Sequence, residues 1–311
     1  MVRMKIGSAL LLGLLVLGCG KDDHDRKGPA GPRIVRAVPD NGYHLGGNTV
    51  VVETLGFQDD FTIDAPLLYI GGIGATNTTA LSSGWILAET PAAVRTGPVD
   101  VRVESTGVPE TGILRDGFTY AYRTVELFGR TIPLPSDSVV YVLNRSADMD
   151  DTVTFVTPQG TTVTGTRWDQ IKYEMLSSFE SLPETVDFNV VTFACNRDAF
   201  IALGVVPATS TNKSAALAWI NGHFPWGGAG TGPGVEDALI RDSGTLTFLL
   251  VDTGSPNCGA TGYVGHTAII LAANVQRAAI HTFGIDVAGL DRDFLENIAM
   301  QTGGTYTDVV P

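Results

Sequence analysis

Residues 139–151 read VVYVLNRSADMDD. Five residues, Val139 to Leu143, are β-branched, aromatic or aliphatic, which suits a strand buried on both faces. The run stops at Asn144, and side-chain oxygens follow at every second position: Asn144, Ser146, Asp148. A buried strand that ends in such a cluster builds a site. The fold decides what the site is, and the stretches around it define the fold.

Downstream, apolar strand runs alternate with helical patterns. RWDQIKYEMLSSFESL (167–182) places Trp168, Ile171, Met175, Leu176 and Phe179 on one helical face. FNVVTFA (188–194), TLTFLLVD (245–252) and IHTFGID (280–286) are strand runs. KSAALAWINGHF, GVEDALIRD, HTAIILAANVQRAA and LDRDFLENIAMQTGG are helical, the last stopping at Gly303-Gly304. Alternating β and α with apolar strands predicts a doubly wound, mostly parallel sheet, with ligands outside the carboxyl ends of the strands. NRSAD and DTGSPN both lie there. DTVTFVTPQGTTVTG (151–165) breaks the alternation and reads as a β-hairpin beside the site.

Upstream the pattern differs. NTVVVETLGF, PLLYIGG, GWILAETPA, PVDVRVES and GFTYAY are short strands separated by Gly, Asn and Asp turns, which predicts an antiparallel sandwich. The stretch resembles the IPT/TIG family of immunoglobulin-like domains. The resemblance lies in PRIVRAVPDNGYHLGGNTVVVETLGF (32–57), LYIGG, ILAETPA, GPVDVRV and FTYAY, in that order. It implies a binding or spacer module without catalytic residues.

At the start, Arg3 and Lys5 precede an apolar run, Ile6 to Gly18, too short to span a bilayer. VLGC (16–19) resembles the lipobox of bacterial lipoproteins, which implies cleavage after Gly18 and lipidation of Cys19. Gly20 after Cys19 implies the outer membrane of a Gram-negative envelope. GKDDHDRKGPAGP (20–32) reads as a flexible tether. The expected organisation is therefore a signal peptide (1–18), lipidated Cys19 with tether (19–32), a TIG domain (33–122) and an α/β domain (125–311). In fold class this is an all-β immunoglobulin-like sandwich followed by a doubly wound α/β unit, with the membrane reached through the lipid alone.

The 311 residues are 44% hydrophobic and 17% charged, so sizeable cores can be buried. Loss of Arg3 and Lys5 takes 20 basic residues to 18 against 33 acidic, a net −15, which argues against nucleic acid as a partner. Beyond Cys19 only Cys195 and Cys258 remain. Export to an oxidising compartment favours a disulfide between them, and two free buried thiols is the alternative.

Residues 125–311 resemble the von Willebrand factor type A domain, in VVYVLNRSADM, FNVVTFA, GGAGTGPGVEDAL (227–239), TLTFLLVDTGSPN (245–257) and IHTFGIDVAGLDRDFLENIAMQTGGTYTDV (280–309). The resemblance implies a metal-ion-dependent adhesion site, in which a divalent cation completes its shell with a partner's carboxylate. Its D-x-S-x-S loop falls on Asn144, Ser146 and Asp148, its Thr on Thr231, its later Asp on Asp252. Asn144 replaces an Asp and Asp148 a Ser, so a charge moves within the loop. Two readings stay open. One is a site for Mg²⁺ or another divalent cation (Mn²⁺, Ca²⁺) with hard oxygen ligands. The other is a metal-free loop whose side chains bond the backbone and cap the next turn. The resemblance also implies that Cys195 and Cys258 lie beside this site.

No G-x-S-x-G or H-E-x-x-H motif is present, and Asp252-Thr253-Gly254 stands alone without a second D-T-G. The expectation is a non-enzymatic, lipid-anchored binding protein whose ligand is a protein or a glycan. The rival is a metal-independent assembly lipoprotein, or a non-catalytic subunit of an envelope complex.

Overall fold

The computed structural model describes residues 32–57, 65–82, 84–107 and 109–310. The signal segment and Cys19 lie outside the described residues, as does most of the tether.

The first part of the chain is strand only: β1 (Arg33–Val38), β2 (Asn41–Tyr43), β3 (Thr49–Leu55), β4 (Leu67–Ile70), β5 (Ile73–Gly74), β6 (Thr76–Ser82), β7 (Trp85–Glu89), β8 (Gly97–Glu104) and β9 (Thr111–Ala121). They form a four-stranded sheet, β1-β3-β7-β6, and a five-stranded sheet, β2-β9-β8-β4-β5. Alternate residues of β3 (Val50, Val52), β7 (Ile86, Ala88) and β8 (Val101, Val103) meet in one apolar cluster with Phe118 and Tyr120. Period-two patterning is the cause: every second side chain of a strand faces inward.

Next come the hairpin β10 (Arg123–Leu127) and β11 (Arg130–Leu134), then β12 (Ser138–Asn144), a single 3₁₀ turn (Ala147–Asp150), and the hairpin β13 (Thr152–Val156) and β14 (Thr162–Thr166). The rest is α1 (Arg167–Ser181), β15 (Asp187–Phe193), β16 (Arg197–Ala199), β17 (Val206–Pro207), α2 (Ser210–Asn221), α3 (Thr231–Arg241), β18 (Thr247–Asp252), α4 (Gly262–Ala273), β19 (Ala279–Ile285), α5 (Gly289–Thr302) and β20 (Tyr306–Val309). One sheet runs β16-β15-β12-β18-β19-β20, with β17 paired to β15. β15, β12, β18, β19 and β20 are parallel, and β16 and β17 are antiparallel at the edge.

Helices cover both faces of this sheet. Val139, Tyr141 and Leu143 of β12 pack with Trp168, Ile171, Met175 and Phe179 of α1 on one side. Val140 and Val142 pack with Val235, Leu239, Ile270 and Leu295 on the other. Thr166 opens α1 with a capping box, its hydroxyl taking the Asp169 N–H while the Asp169 carboxylate takes the Thr166 N–H. Leu176, expected on the buried face of α1, is 38% exposed and sits at its rim. A helix presents a stripe about 100° wide to its sheet, and Leu176 falls at the margin of it.

The expected fold class needs correction. With 40% strand and 25% helix the chain is a mixed α/β molecule. An all-β immunoglobulin-like sandwich followed by a separate type A domain is not what it shows. β2 pairs with β9 in parallel, against the antiparallel expectation. Only Tyr122 separates β9 from β10. The junction is bonded: His44 Nε2 lies 2.9 Å from the Pro135 carbonyl oxygen and the His44 ring packs edge-on against Tyr122. The Arg123 guanidinium sits 4.4 Å over the Tyr43 ring and pairs with Asp137. A change in hydrophobic period marks where helices begin, and it does not mark where contacts stop.

Candidate functional site

The site forms where two neighbouring parallel strands end. Leu143 of β12 is in register with Val251 of β18, so the next residues, Asn144 and Asp252, meet side by side, both fully buried. Thr231 is the first residue of α3 and is also buried.

A closed set of hydrogen bonds joins them. The Asn144 Nδ2 donates to Asp252 Oδ1 at 2.5 Å and to Thr253 Oγ1 at 3.3 Å. Asn144 Oδ1 accepts from the Ser146 backbone N–H at 2.7 Å, which settles the orientation of the amide. The Thr231 hydroxyl donates to Asp252 Oδ2 at 2.7 Å, and the Thr253 N–H donates to Oδ1 at 2.7 Å. Burial pushes the Asp252 carboxyl up to about 6, against the hydrogen bonds from Thr231, Asn144, Gly254 and Thr253.

Of the expected residues, Asn144, Ser146, Thr231 and Asp252 come together, Ser146 through its backbone N–H. Asp148 makes no side-chain hydrogen bond to this set. It lies half-buried in the 3₁₀ turn, where its carbonyl accepts from Arg167 Nη1 at 3.0 Å. Thr253 is a member that the sequence reading passed over. Its signal was its position as an extra hydroxyl between Asp252 and Gly254.

A divalent cation needs about six oxygens turned toward one point. Here Asn144 turns a donor, not an oxygen, toward Asp252. Ser146 Oγ is the one hydroxyl of the set that is buried without a partner. Among the described residues no three His, Cys, Asp or Glu group as a metal site. As arranged, these residues do not fit the cation that the resemblance implies.

Over the strand ends runs the loop 223–230. The Trp226 N–H bonds the Arg145 carbonyl (2.9 Å), the Ala147 N–H bonds Gly227 (2.8 Å), the Gly230 N–H bonds Ala194 (3.0 Å), and the Asn257 and Cys258 N–H groups share Ala229 (2.9 and 3.1 Å). Cys195 and Cys258 form a disulfide, with Cα atoms 5.7 Å apart, beside this loop. Glycine is required there: a Cβ on Gly230 would stand 2.7 Å from the Ala194 oxygen, and one on Gly228 would run into the Asn257 side chain. Phe224 and Trp226 ride on the loop at 69% and 52% exposure. Arg145 is buried beside them, and among the described residues no carboxylate pairs with it within 4.0 Å. Burial holds its guanidinium below the ordinary arginine range, partly offset by the charge of Asp198.

His223 and His266 both approach this end of the sheet. His223 lies 3.2 Å from an Asp198 oxygen, and His266 Nδ1 accepts the Gly232 N–H at 2.8 Å. No helix among the described residues is long and apolar enough to cross a membrane.

No protein-family model matches the chain, and no curated protein matches it. Solved structures do. A von Willebrand factor type A protein from Catenulispora acidiphila is 14% identical, with 70% of this chain and 42% of that chain covered at a TM-score of 0.45. The SpRpn10 VWA domain is 10% identical over 56% of this chain and 88% of its own, at 0.41. The PilB minor pilin from Streptococcus sanguinis is 12% identical over 78% and 83%, at 0.40. Type A domains are among its structural neighbours. The identity is low throughout, and the chain spans less than half the length of the Catenulispora structure.

Proposed function

We propose that the chain is a non-enzymatic binding protein of the bacterial envelope, lipidated at Cys19, which engages a protein partner with the loops at the carboxyl ends of β15, β12 and β18. The observation that carries this is the exposed pair Phe224 and Trp226, held on a loop that is bonded to three neighbouring loops. Large rigid aromatics on a fixed scaffold lose little entropy on binding and dominate interface energies.

Capture from crosslinked envelopes tests the reading. Wild type is compared with the Phe224→Ser/Trp226→Ser variant, each with and without chelator. Specific capture by wild type, lost in the variant and insensitive to chelator, supports it. Equal capture by both proteins overturns it. Competition by purified envelope polysaccharide, but not by protein fractions, identifies a glycan as the ligand instead.

A further inference from the structure

We propose that the Asn144 amide is a built-in substitute for a cation: the pocket at the ends of β12 and β18 closes without metal, and Asn144→Asp alone converts it into a divalent-cation site.

The geometry carries the argument. Asp252 brings a carboxylate into a fully buried place, where a charge needs a partner. Among the described residues no Lys, Arg or His acts on this carboxylate as a charge partner. Four neutral donors converge on it: Asn144 Nδ2 and the Thr253 N–H on Oδ1, the Thr231 hydroxyl on Oδ2, and the Gly254 N–H. The amide donates only because its own oxygen is fixed by the Ser146 N–H, 2.7 Å away. Reversing the amide would set oxygen against oxygen at 2.5 Å and leave the Ser146 N–H without its acceptor. The Asn144 donor thus stands where a cation would otherwise have to neutralise the carboxylate.

Replacing Asn144 by Asp keeps the shape and removes that donor. Two carboxylate oxygens would then face each other at hydrogen-bond distance inside the protein, and both cannot stay ionised unaided. A divalent ion relieves this. Oxygens to complete its shell stand close by: Ser146 Oγ, buried without a partner, and the hydroxyls of Thr231 and Thr253.

Thermal unfolding of the full chain in Mg²⁺, Mn²⁺ or Ca²⁺, from micromolar to 10 mM against chelator, reads the inference directly. It involves no partner, so it can fail or succeed independently of the binding reading. Wild type is expected to melt at the same temperature in every buffer. Asn144→Asp is expected to melt lower in chelator and to rise with metal in a saturable way. The exchange variant Asn144→Asp/Asp252→Asn keeps one acid and one amide, so it is expected to fold and to ignore metal. A saturable rise in the melting temperature of wild type overturns the proposal. So does an Asn144→Asp protein that stays unfolded or metal-blind at 10 mM while the exchange variant folds.

Discussion

Removing the Cys195–Cys258 bond should cost the molecule a large part of its stability. The bond closes a chain segment with a sequence separation of 63. In the chain-entropy relation a loop of that size restricts the unfolded ensemble by about 4 kcal/mol. The loops on either side stay held by other bonds when this one is cut: Ala194 accepts from Gly230, and Ala229 accepts from Asn257 and Cys258. The effect should therefore come from the unfolded state and stay near the full value. The assay is urea unfolding of Cys19→Ser protein against Cys19→Ser/Cys195→Ser/Cys258→Ser, followed by tryptophan fluorescence. With a slope of about 1–3 kcal/mol per molar urea, the midpoint of the transition containing β12 to β20 should fall by roughly 1–4 M. A midpoint that does not move, or two free thiols in the oxidised Cys19→Ser protein, refutes the reasoning.

Three further outcomes follow from individual contacts. Burial raises the Asp242 carboxyl to about 7, opposed by hydrogen bonding from Asn189 and by Arg241; its contribution to stability is present below pH 4 and lost as the pH rises through 7, so the melting temperature should fall between pH 5 and 8. Asp242→Asn should flatten that fall, by at most about 4 kcal/mol at pH 8, as read by melts across that range. The buried Tyr141 hydroxyl lies 2.8 Å from Ser178 Oγ; Ser178→Ala should strand it and cost about 1–3 kcal/mol in chemical denaturation, while Ser178→Ala with Tyr141→Phe should cost less than the single change. Gly230→Ala, whose methyl would stand 2.7 Å from the Ala194 oxygen, should destabilise by roughly 1–3 kcal/mol and speed hydrogen exchange at Asn257 and Cys258.

Much of the β12–β20 region was legible in the chain itself. Val139 to Leu143 could only be a buried strand, because burial on both faces needs an uninterrupted apolar run. The spacing of Trp168, Ile171, Met175 and Phe179 required a helix, and all four are buried. The glycine-rich stretch 227–232 pointed to Thr231 alone, and the close approach of Gly228 to Asn257 and of Gly230 to Ala194 was not legible in it. The short strands β1, β2, β10 and β11 were not legible, since a few residues cannot display a period, and β2 moreover finds its partner β9 far along the chain.

Within the site, residue types and their order in the chain determined that oxygens would gather at the ends of β12 and β18. That much follows from local pattern, because a strand that stops delivers its next side chains to the sheet edge. Three things were decided only in three dimensions. One was that Asp148, in the Ala147–Asp150 turn, stays outside the hydrogen-bonded set. Another was that the strand-only half joins the α/β half through His44, Tyr122 and Arg123 without a gap. The last was the direction of the Asn144 amide. An amide presents a donor and an acceptor of nearly equal size, so composition cannot say which one meets Asp252. The Ser146 N–H makes that choice, and it does so only once β12 and β18 lie in register.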